Sequence, residues 1–238
     1  MENFTNQEIL NWQAFLQVKE QQSKDSRLKH FYQAGTYHSE TPLKQVEFVA
    51  LDFETTGLDA NQNSIISIGL VPFTLQRIAC RQAKHWFITP EDKLQEDSII
   101  IHGITHSDLK GAPALPRILE QLLDELAGKV VVVHYRRIER DFFDSALRGM
   151  INEGIVFPIV DTMQIEADVL RTRKKRFIEW FKPNRPLSIR LANTRSRYHL
   201  PTYPPHDALT DAIATAELLQ AQIHHHFDGD TPIKKLWL

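Results

Sequence analysis

The chain has 238 residues, and its 28 Lys and Arg against 30 Asp and Glu give a formal net charge of −2. This balance excludes a polycation that binds nucleic acid or anionic membranes over its whole surface, so any such site must be local. A hydrophobic fraction of 42% excludes disorder throughout, and no apolar run reaches the roughly 18 residues that a membrane span needs. Met1–Leu10 has no signal sequence and Cys80 is the single cysteine. We therefore expect a cytoplasmic protein without membrane contact, disulfides or cysteine-bound zinc.

The first part of the chain is predicted to form two helices followed by three strands. Apolar residues at helical spacing indicate two short helices, which form an N-terminal helical extension over residues 1–44. Val46–Phe53 is rich in apolar and β-branched residues, as buried strands are. Ser64–Phe73 and Lys84–Ile88 are two further strand candidates.

The rest of the chain alternates helices with strands. Leu115–Leu126 has apolar residues three and four positions apart, which predicts a helix, and Val130–Val133 suits a parallel strand buried on both faces. A helix follows directly, Ile159–Val160 indicates a short last strand, and Asp207–Ile223 is an amphipathic helix. This order predicts an α/β fold with a mixed sheet.

An acidic motif, Asp52-Phe53-Glu54-Thr55-Thr56-Gly57, ends the first predicted strand. Because side chains alternate along a strand, Asp52 and Glu54 lie on the same face and can share one cation. Two carboxylates at the end of a buried strand are costly unless a metal or hydrogen bonds compensate them. The alternative is that they mark the solvated end of the strand, where a turn begins.

A His-x4-Asp pattern opens the last helix, where His206 precedes Asp211 by five residues. An imidazole beside a carboxylate that binds metal can take a proton from water near neutral pH. The alternative is that Asp207 and Asp211 only complement the positive end of the helix. A third charged stretch, His134–Phe143, follows the valine strand, and alone it is typical of a helix with a solvated face.

Together the three motifs resemble those of the DnaQ-like 3′–5′ exonucleases of the DEDD superfamily, histidine subclass, which includes the proofreading epsilon subunit of bacterial DNA polymerase III. Asp52–Gly57 matches the first motif of that family, and His206 with Asp211 matches its third. The similarity also includes His102–Thr105 and the pair Asp161-Thr162. It implies a ribonuclease H-like mixed sheet flanked by helices, in a domain over residues 45–225 with a C-terminal tail over residues 226–238.

The second motif departs from the family pattern, which is usually His-Asn-x-x-Phe-Asp-x-x-Phe. The same frame places Glu139 where the family has Asp, with Asp141 as the rival acid. At 100° per residue the two point about 200° apart, so both are not expected to face the site. Tyr135 replaces the usual Asn beside the substrate, which would change how the penultimate nucleotide is held.

The resemblance implies a two-metal hydrolysis that releases nucleoside 5′-monophosphates from a 3′ end. It assigns two divalent ions, Mg²⁺ or Mn²⁺, to four carboxylates and the general base to a histidine. The implied catalytic residues are Asp52, Glu54, Glu139, Asp211 and His206, of which the four acids are the metal ligands. The implied contacts to the terminal nucleotides are Thr55, Thr56, Gly57, Leu58, His102 and Tyr135.

Residues 171–197 contain ten Lys or Arg and one acid, with aromatic residues interleaved. A basic groove with stacking rings holds single strands without sequence preference, so we expect Lys174, Lys175 and Arg176 to bind phosphates. The alternative is a solvated helix face whose aromatics are core. The expected partner is a single-stranded nucleic acid or a 3′ end, with DNA favoured over RNA.

Two other functions remain compatible with the sequence. One is an exoribonuclease that trims RNA 3′ ends, since no motif here reports on the 2′-hydroxyl. The other is a module that binds 3′ ends without cleaving them, against which the complete acid set and His206 argue. The sequence assigns no polymerase or other protein partner.

Overall fold

The computed structural model describes residues 11–90, 103–176 and 187–238, with the backbone alone over 173–176. Its strands are β1 (Phe48–Thr55), β2 (Ile65–Phe73), β3 (Lys84–Phe87), β4 (Val130–Val133) and β5 (Ile159–Asp161). Its helices are α1 (Trp12–Gln22), α2 (Ser26–Gln33), α3 (Leu115–Leu126), α4 (Arg137–Ile151), α5 (Thr162–Arg176), α6 (Leu191–Arg197) and α7 (Ala208–His226). None of the helices in these ranges is long and apolar enough to cross a membrane.

The five strands form one mixed sheet in the order β3-β2-β1-β4-β5. β1 pairs antiparallel with β2 and parallel with β4, and β5 pairs parallel with β4. The predicted α/β fold with a mixed sheet and N-terminal helices is therefore confirmed. Since β1 and β4 run in the same direction, their carboxyl ends meet at one edge of the sheet. The residues that follow both strands are brought together there.

Helices cover both faces of the sheet, and alternation along β1 decides which face each side chain meets. Val49, Leu51 and Phe53 are buried in a cluster with α1 to α4. Phe48 and Ala50 point the other way, into a cluster formed with α5 and α7. Continuing this alternation places Asp52 and Glu54 on the α7 side.

The N-terminal helices and the C-terminal residues each extend one of these two clusters. Trp12 and Leu28 are buried together with α3, and the Phe31 ring lies 6.1 Å from that of Phe157. On the other face Ile233 is buried, and the Leu238 amide donates to the Ile159 carbonyl at 2.8 Å, beside β5. The domain limits at residues 44 and 225 stay predictions.

The bounds of the elements follow the sequence patterns with small shifts. α3 and β4 begin and end where their apolar patterns do. β1 begins at Phe48 rather than Val46 because a 3-10 turn at Leu43–Gln45 precedes it, and it continues to Thr55 by pairing with Ile65. The end of the strand therefore includes the acidic motif.

Candidate functional site

Asp52 and Glu54 lie side by side on the face of β1 that α7 covers. In the antiparallel pairing with β2, Asp52 is opposite Gly69 and Glu54 is opposite Ser67. Glu54 is only 8% exposed, and Asp52 is half-buried. The two carboxylates are thus part of a covered sheet face rather than of a solvated strand end.

Gly69 lets the first turn of α7 lie directly on β2. A Cβ at this position would stand 2.2 Å from the carbonyl carbon and oxygen of Ala208. Because Gly69 is opposite Asp52, this close approach brings the start of α7 to the acid pair. Gly69 was not among the predicted site residues, although a glycine inside an apolar strand is itself an indication of close backbone approach.

The start of α7 is arranged by its own carboxylates. Asp207 is the N-cap and accepts from the Thr210 amide at 2.8 Å, as the alternative interpretation of this acid anticipated. Asp211 accepts from the His206 amide at 2.8 Å. His206 is exposed and has a left-handed backbone, with φ of 68°. Three side chains meet here: a potential metal-binding atom from each of Glu54, His206 and Asp211 lies within 4.8 Å of the other two.

Glu139 enters the site from the first turn of α4, at the carboxyl end of β4. It is 2% exposed, and its buried Oε2 accepts no hydrogen bond from any described residue. Asp141, the rival acid, is exposed. The structure therefore brings Glu139 to Asp52 and leaves Asp141 on the solvent side of the helix, as their helical phases indicate.

Asp161, at the end of β5, fixes the turn from which α4 begins. Its carboxylate accepts from the backbone amides of Tyr135 at 3.0 Å and Arg136 at 3.1 Å. Tyr135 has φ of 89°, an uncommon conformation for a bulky residue, and its side chain is 41% exposed. The sequence noted Asp161 only as part of an Asp-Thr pair, and its anchoring of the Glu139 helix could not be read from the pattern.

The carboxylates of this cluster resist ionisation. Burial raises the pKa of Glu54 to about 8, and the neighbouring Asp211 and Asp207 add to that shift. The pKa of Asp52 is also raised well above its usual value, by removal from water and by Glu139, Glu54 and Asp211. Removal from water likewise raises the pKa of Glu139 and of Asp211.

These pKa shifts and the unpaired Glu139 Oε2 indicate a site that lacks positive charge. Hard divalent cations prefer carboxylate oxygens, so the chemistry of this donor set fits Mg²⁺ or Mn²⁺. The residues that would hold them are Asp52, Glu54, Glu139 and Asp211.

The residues after Glu54 form a tight turn at the mouth of the site. The Thr55 hydroxyl donates to the Gly57 carbonyl at 2.6 Å, and the buried Thr56 hydroxyl accepts from the Ser64 amide at 2.9 Å. A Cβ at Gly57 would stand 2.5 Å from the Asn63 side chain. Leu58 follows and is 87% exposed. Of the other predicted contacts, His102 and the side chains of Lys174, Lys175 and Arg176 lie outside the described residues.

His134, the histidine of the second motif, serves the scaffold beside the site. Its Nε2 lies 2.9 Å from the Ile189 carbonyl and its Nδ1 lies 2.8 Å from the Thr162 hydroxyl. Burial lowers the pKa of His134 to about 4, so the ring is neutral near pH 7. In the neutral ring Nε2–H donates to the Ile189 carbonyl, which can only accept. The Thr162 hydroxyl also lies 2.9 Å from the Val133 carbonyl, and its single hydrogen serves either that carbonyl or the His134 Nδ1.

Part of the basic segment faces inward. Arg195 is 3% exposed and pairs with Glu217 at 2.7 Å. Arg197 pairs with the buried Glu166 at 2.9 Å. These two arginines are therefore engaged within the protein rather than available to a phosphate. The simple count of basic residues overstated the positive surface, because it could not separate cations with internal partners from those facing solvent.

The fold is that of the ribonuclease H-like exonucleases, with Asp52 and Glu54 at the carboxyl end of β1, Glu139 after β4 and Asp211 in the first turn of α7. The exonuclease family RNase T matches residues 49–219, about three quarters of the chain. The chain belongs to this family of 3′–5′ exonucleases, and the predicted DnaQ-like resemblance is confirmed.

Individual relatives agree with this assignment. The chain is 27% identical to DNA polymerase III subunit epsilon of Treponema pallidum, over 77% of this chain and 79% of that protein. It is 28% identical to DNA polymerase III PolC-type of Halalkalibacterium halodurans over 79% of this chain, but spans only 12% of that protein. The nuclease domain of 3′hExo, a DEDDh family member solved with rAMP, matches with a TM-score of 0.61 and 15% identity, over 76% of this chain and 92% of that one.

Proposed function

We propose that this chain is a divalent-metal-dependent 3′–5′ exonuclease that hydrolyses phosphodiester bonds at nucleic-acid 3′ ends. The observation that carries the proposal is the convergence of Asp52, Glu54, Glu139 and Asp211 with His206 at one edge of the sheet. Three separate parts of the chain supply these groups, and three of the acids would be costly to bury together unless a cation neutralised them.

Each residue has a role in the proposed reaction. The four carboxylates would hold two divalent ions, which when bound supply positive charge to the attacking and leaving oxygens at phosphorus. His206 would take a proton from the attacking water, since its ring is exposed beside Glu54 and Asp211. The water oxygen bonds to phosphorus as the bond to the 3′ oxygen of the preceding nucleotide breaks. That oxygen takes a proton from solvent to become the new 3′-hydroxyl, and a nucleoside 5′-monophosphate leaves. Leu58, which is 87% exposed, would pack on the terminal base.

We propose single-stranded DNA as the favoured substrate. Support comes from the epsilon and PolC-type relatives, which are parts of DNA polymerase III. Among solved structures of similar fold, Exonuclease X is in complex with 5′ overhanging duplex DNA, whereas 3′hExo is bound to rAMP. Trimming of RNA ends is therefore the second candidate, and the same assay must separate the two.

The test uses 5′-labelled DNA and RNA oligonucleotides of one sequence, with Mg²⁺, with Mn²⁺ and with a chelator. We expect a ladder of progressively shorter products that needs metal and forms faster on DNA. A faster ladder on RNA would reverse the substrate assignment. Binding of 3′ ends without any shortening would establish a binding module instead.

A matched pair of variants isolates the acid on α4. Glu139→Gln should slow cleavage at least about 10²-fold, because it removes a buried carboxylate that faces the site. Asp141→Asn changes an exposed acid two residues away and should leave the rate within twofold of wild type. Equal losses in both variants would contradict the assignment of Glu139.

A second pair tests the general base. His206→Ala should lower the rate about 10²- to 10⁴-fold at pH 7. His199→Ala should not lower the rate. It removes another exposed histidine, from the loop between α6 and α7. A loss below tenfold for His206→Ala would indicate a different base.

A further inference from the structure

Arg195 is a buried cation near the end of the basic segment over residues 171–197, and all its described contacts are internal. Its guanidinium donates to the Ala214 carbonyl at 2.6 Å and to Glu217 at 2.7 Å, both on α7. It also donates to the Pro201 carbonyl at 2.9 Å, in the loop between α6 and α7. The same side chain therefore holds both the last helix and the loop that leads into it.

Tyr203 gives this loop a second attachment to the same group. Its ring lies 4.7 Å from the Arg195 guanidinium carbon, within the range of a cation–π contact. Its hydroxyl donates to Glu217 at 2.9 Å. The Glu217 carboxylate is thus shared by Arg195 and Tyr203, and it ties the loop to α7 about two and a half turns beyond the helix start.

The link from Tyr203 to the presumed base is stiff. Only Pro204 and Pro205 separate it from His206, and each proline ring fixes its own φ. His206 then has a left-handed backbone, φ 68°, with its amide held by Asp211 at 2.8 Å. A left-handed non-glycine residue persists only where its surroundings impose the conformation. The loop is therefore fastened to α7 at both ends of the Tyr203–His206 stretch.

We propose that Arg195 is a positioning residue of the reaction, which acts through Tyr203 and the two prolines to hold the His206 ring at Glu54 and Asp211. The inference rests on the proposed function and deepens it. The described hydrogen bonds of Arg195 go to Ala214, Pro201 and Glu217 rather than to the acid pair of β1. Its charge also works against the rise in the pKa of Asp211 that burial causes. The contribution that we assign to it is the placement of another group. A displacement of about 1 Å at a reacting group costs on the order of 10² in rate, which sets the size of the expected effect.

The test compares two arginines of α6 that each pair with a buried or half-buried glutamate on a neighbouring helix. Arg195→Gln breaks the attachment of the His206 loop, and Arg197→Gln breaks the pair with Glu166 and leaves that loop attached. For single-stranded DNA at saturating Mg²⁺ we expect kcat of Arg195→Gln to fall about 10²-fold with KM within threefold of wild type. Arg197→Gln should keep its kcat within threefold.

A double variant separates positioning from a general loss of fold. If Arg195 acts through His206, adding Arg195→Gln to His206→Ala should lower kcat no further, because residues that act as a unit are not additive. Losses that multiply in the double variant would overturn the proposal. If Arg195→Gln fails to fold, Tyr203→Phe is the deciding variant, because it removes only the hydroxyl that donates to Glu217. We expect a three- to tenfold loss in kcat, and an unchanged kcat overturns the proposal.

Amide hydrogen exchange gives a readout that does not depend on cleavage. Exchange over residues 199–206 should quicken in Arg195→Gln and stay unchanged in Arg197→Gln. An inactive wild type would contradict the proposed function, and equal exchange over residues 199–206 in wild type and Arg195→Gln would contradict the anchoring. A wild-type kcat in folded Arg195→Gln would overturn the inference alone and leave the exonuclease assignment standing.

Discussion

Replacing Gly69 by alanine would wedge the last helix away from the acid pair. The added Cβ would stand 2.2 Å from the Ala208 carbonyl, whereas ordinary contact begins at 3.4 Å. The start of α7 must then move by about 3.4 − 2.2 = 1.2 Å. Because Ala208 precedes Asp211 by less than one turn, the same shift moves Asp211 and His206 away from Asp52.

Two quantities should change in Gly69→Ala. A displacement near 1 Å lowers the rate by about 10²-fold, so kcat on a single-stranded oligonucleotide should fall by that order. Overpacking costs about 1–3 kcal/mol in free energy of unfolding, which corresponds to a fall in Tm of about 2–12 °C for a domain of this size. Thermal unfolding and initial cleavage rates measure both.

Gly149→Ala is the matched control. This glycine lies within α4, and a Cβ there would meet nothing within 4 Å. Alanine is favoured over glycine in a helix by about 0.5–1 kcal/mol, so Tm should rise slightly and kcat should stay unchanged. A folded Gly69→Ala protein with wild-type kcat would show that the approach of α7 to β2 does not set the site geometry.

Three further predictions concern ionisation and charge. Burial raises the pKa of Glu54 from 4.5 to about 8. The metal-free protein should therefore lose up to about 5 kcal/mol in free energy of unfolding as pH rises from 4.5 to 8. Glu54→Gln should abolish this loss in unfolding curves measured with a chelator. For His134 the dependence of stability on pH has the opposite sign, because burial lowers its pKa from 6.5 to about 4. Its contribution to the free energy of unfolding, up to about 3 kcal/mol, is present above pH 6.5 and is lost as pH falls to 4. The advantage of wild type over His134→Gln should shrink across that range. Neutralising Lys174, Lys175 and Arg176 should lower the slope of log Kd against log salt by about 0.7 for each lost phosphate contact, and an unchanged slope would exclude them from binding.

The sequence predicted those parts of the fold that local patterns encode. The apolar spacing of Leu115–Leu126 and the valines of Val130–Val133 are sufficient to define α3 and β4. The family frame selected Glu139, and the helical phase of Glu139 relative to Asp141 indicated that only one of the two acids would face the site. Such features depend on neighbours within one or two turns, so a single segment contains the whole pattern.

The features that sequence analysis missed depend on contacts between distant segments. Nothing around Gly69 indicates that Ala208 will lie on it. The inward direction of Arg195 is fixed by Glu217 on another helix, so a count of charges along the chain assigned it to the surface. The same limit applies to Asp161, whose hydrogen bonds to the amides of Tyr135 and Arg136 exist only once β5 lies beside β4.

The division of the acid set between β1 and α7 has a consequence for incompletely folded chains. A ribosome-bound or partly unfolded chain in which α7 has not docked contains Asp52 and Glu54 but lacks Asp211 and His206 beside them. The proposed hydrolysis would therefore require the last long helix to lie on the sheet, and docking of that helix would complete the catalytic centre. Cleavage would then report on the native packing of one helix against the sheet.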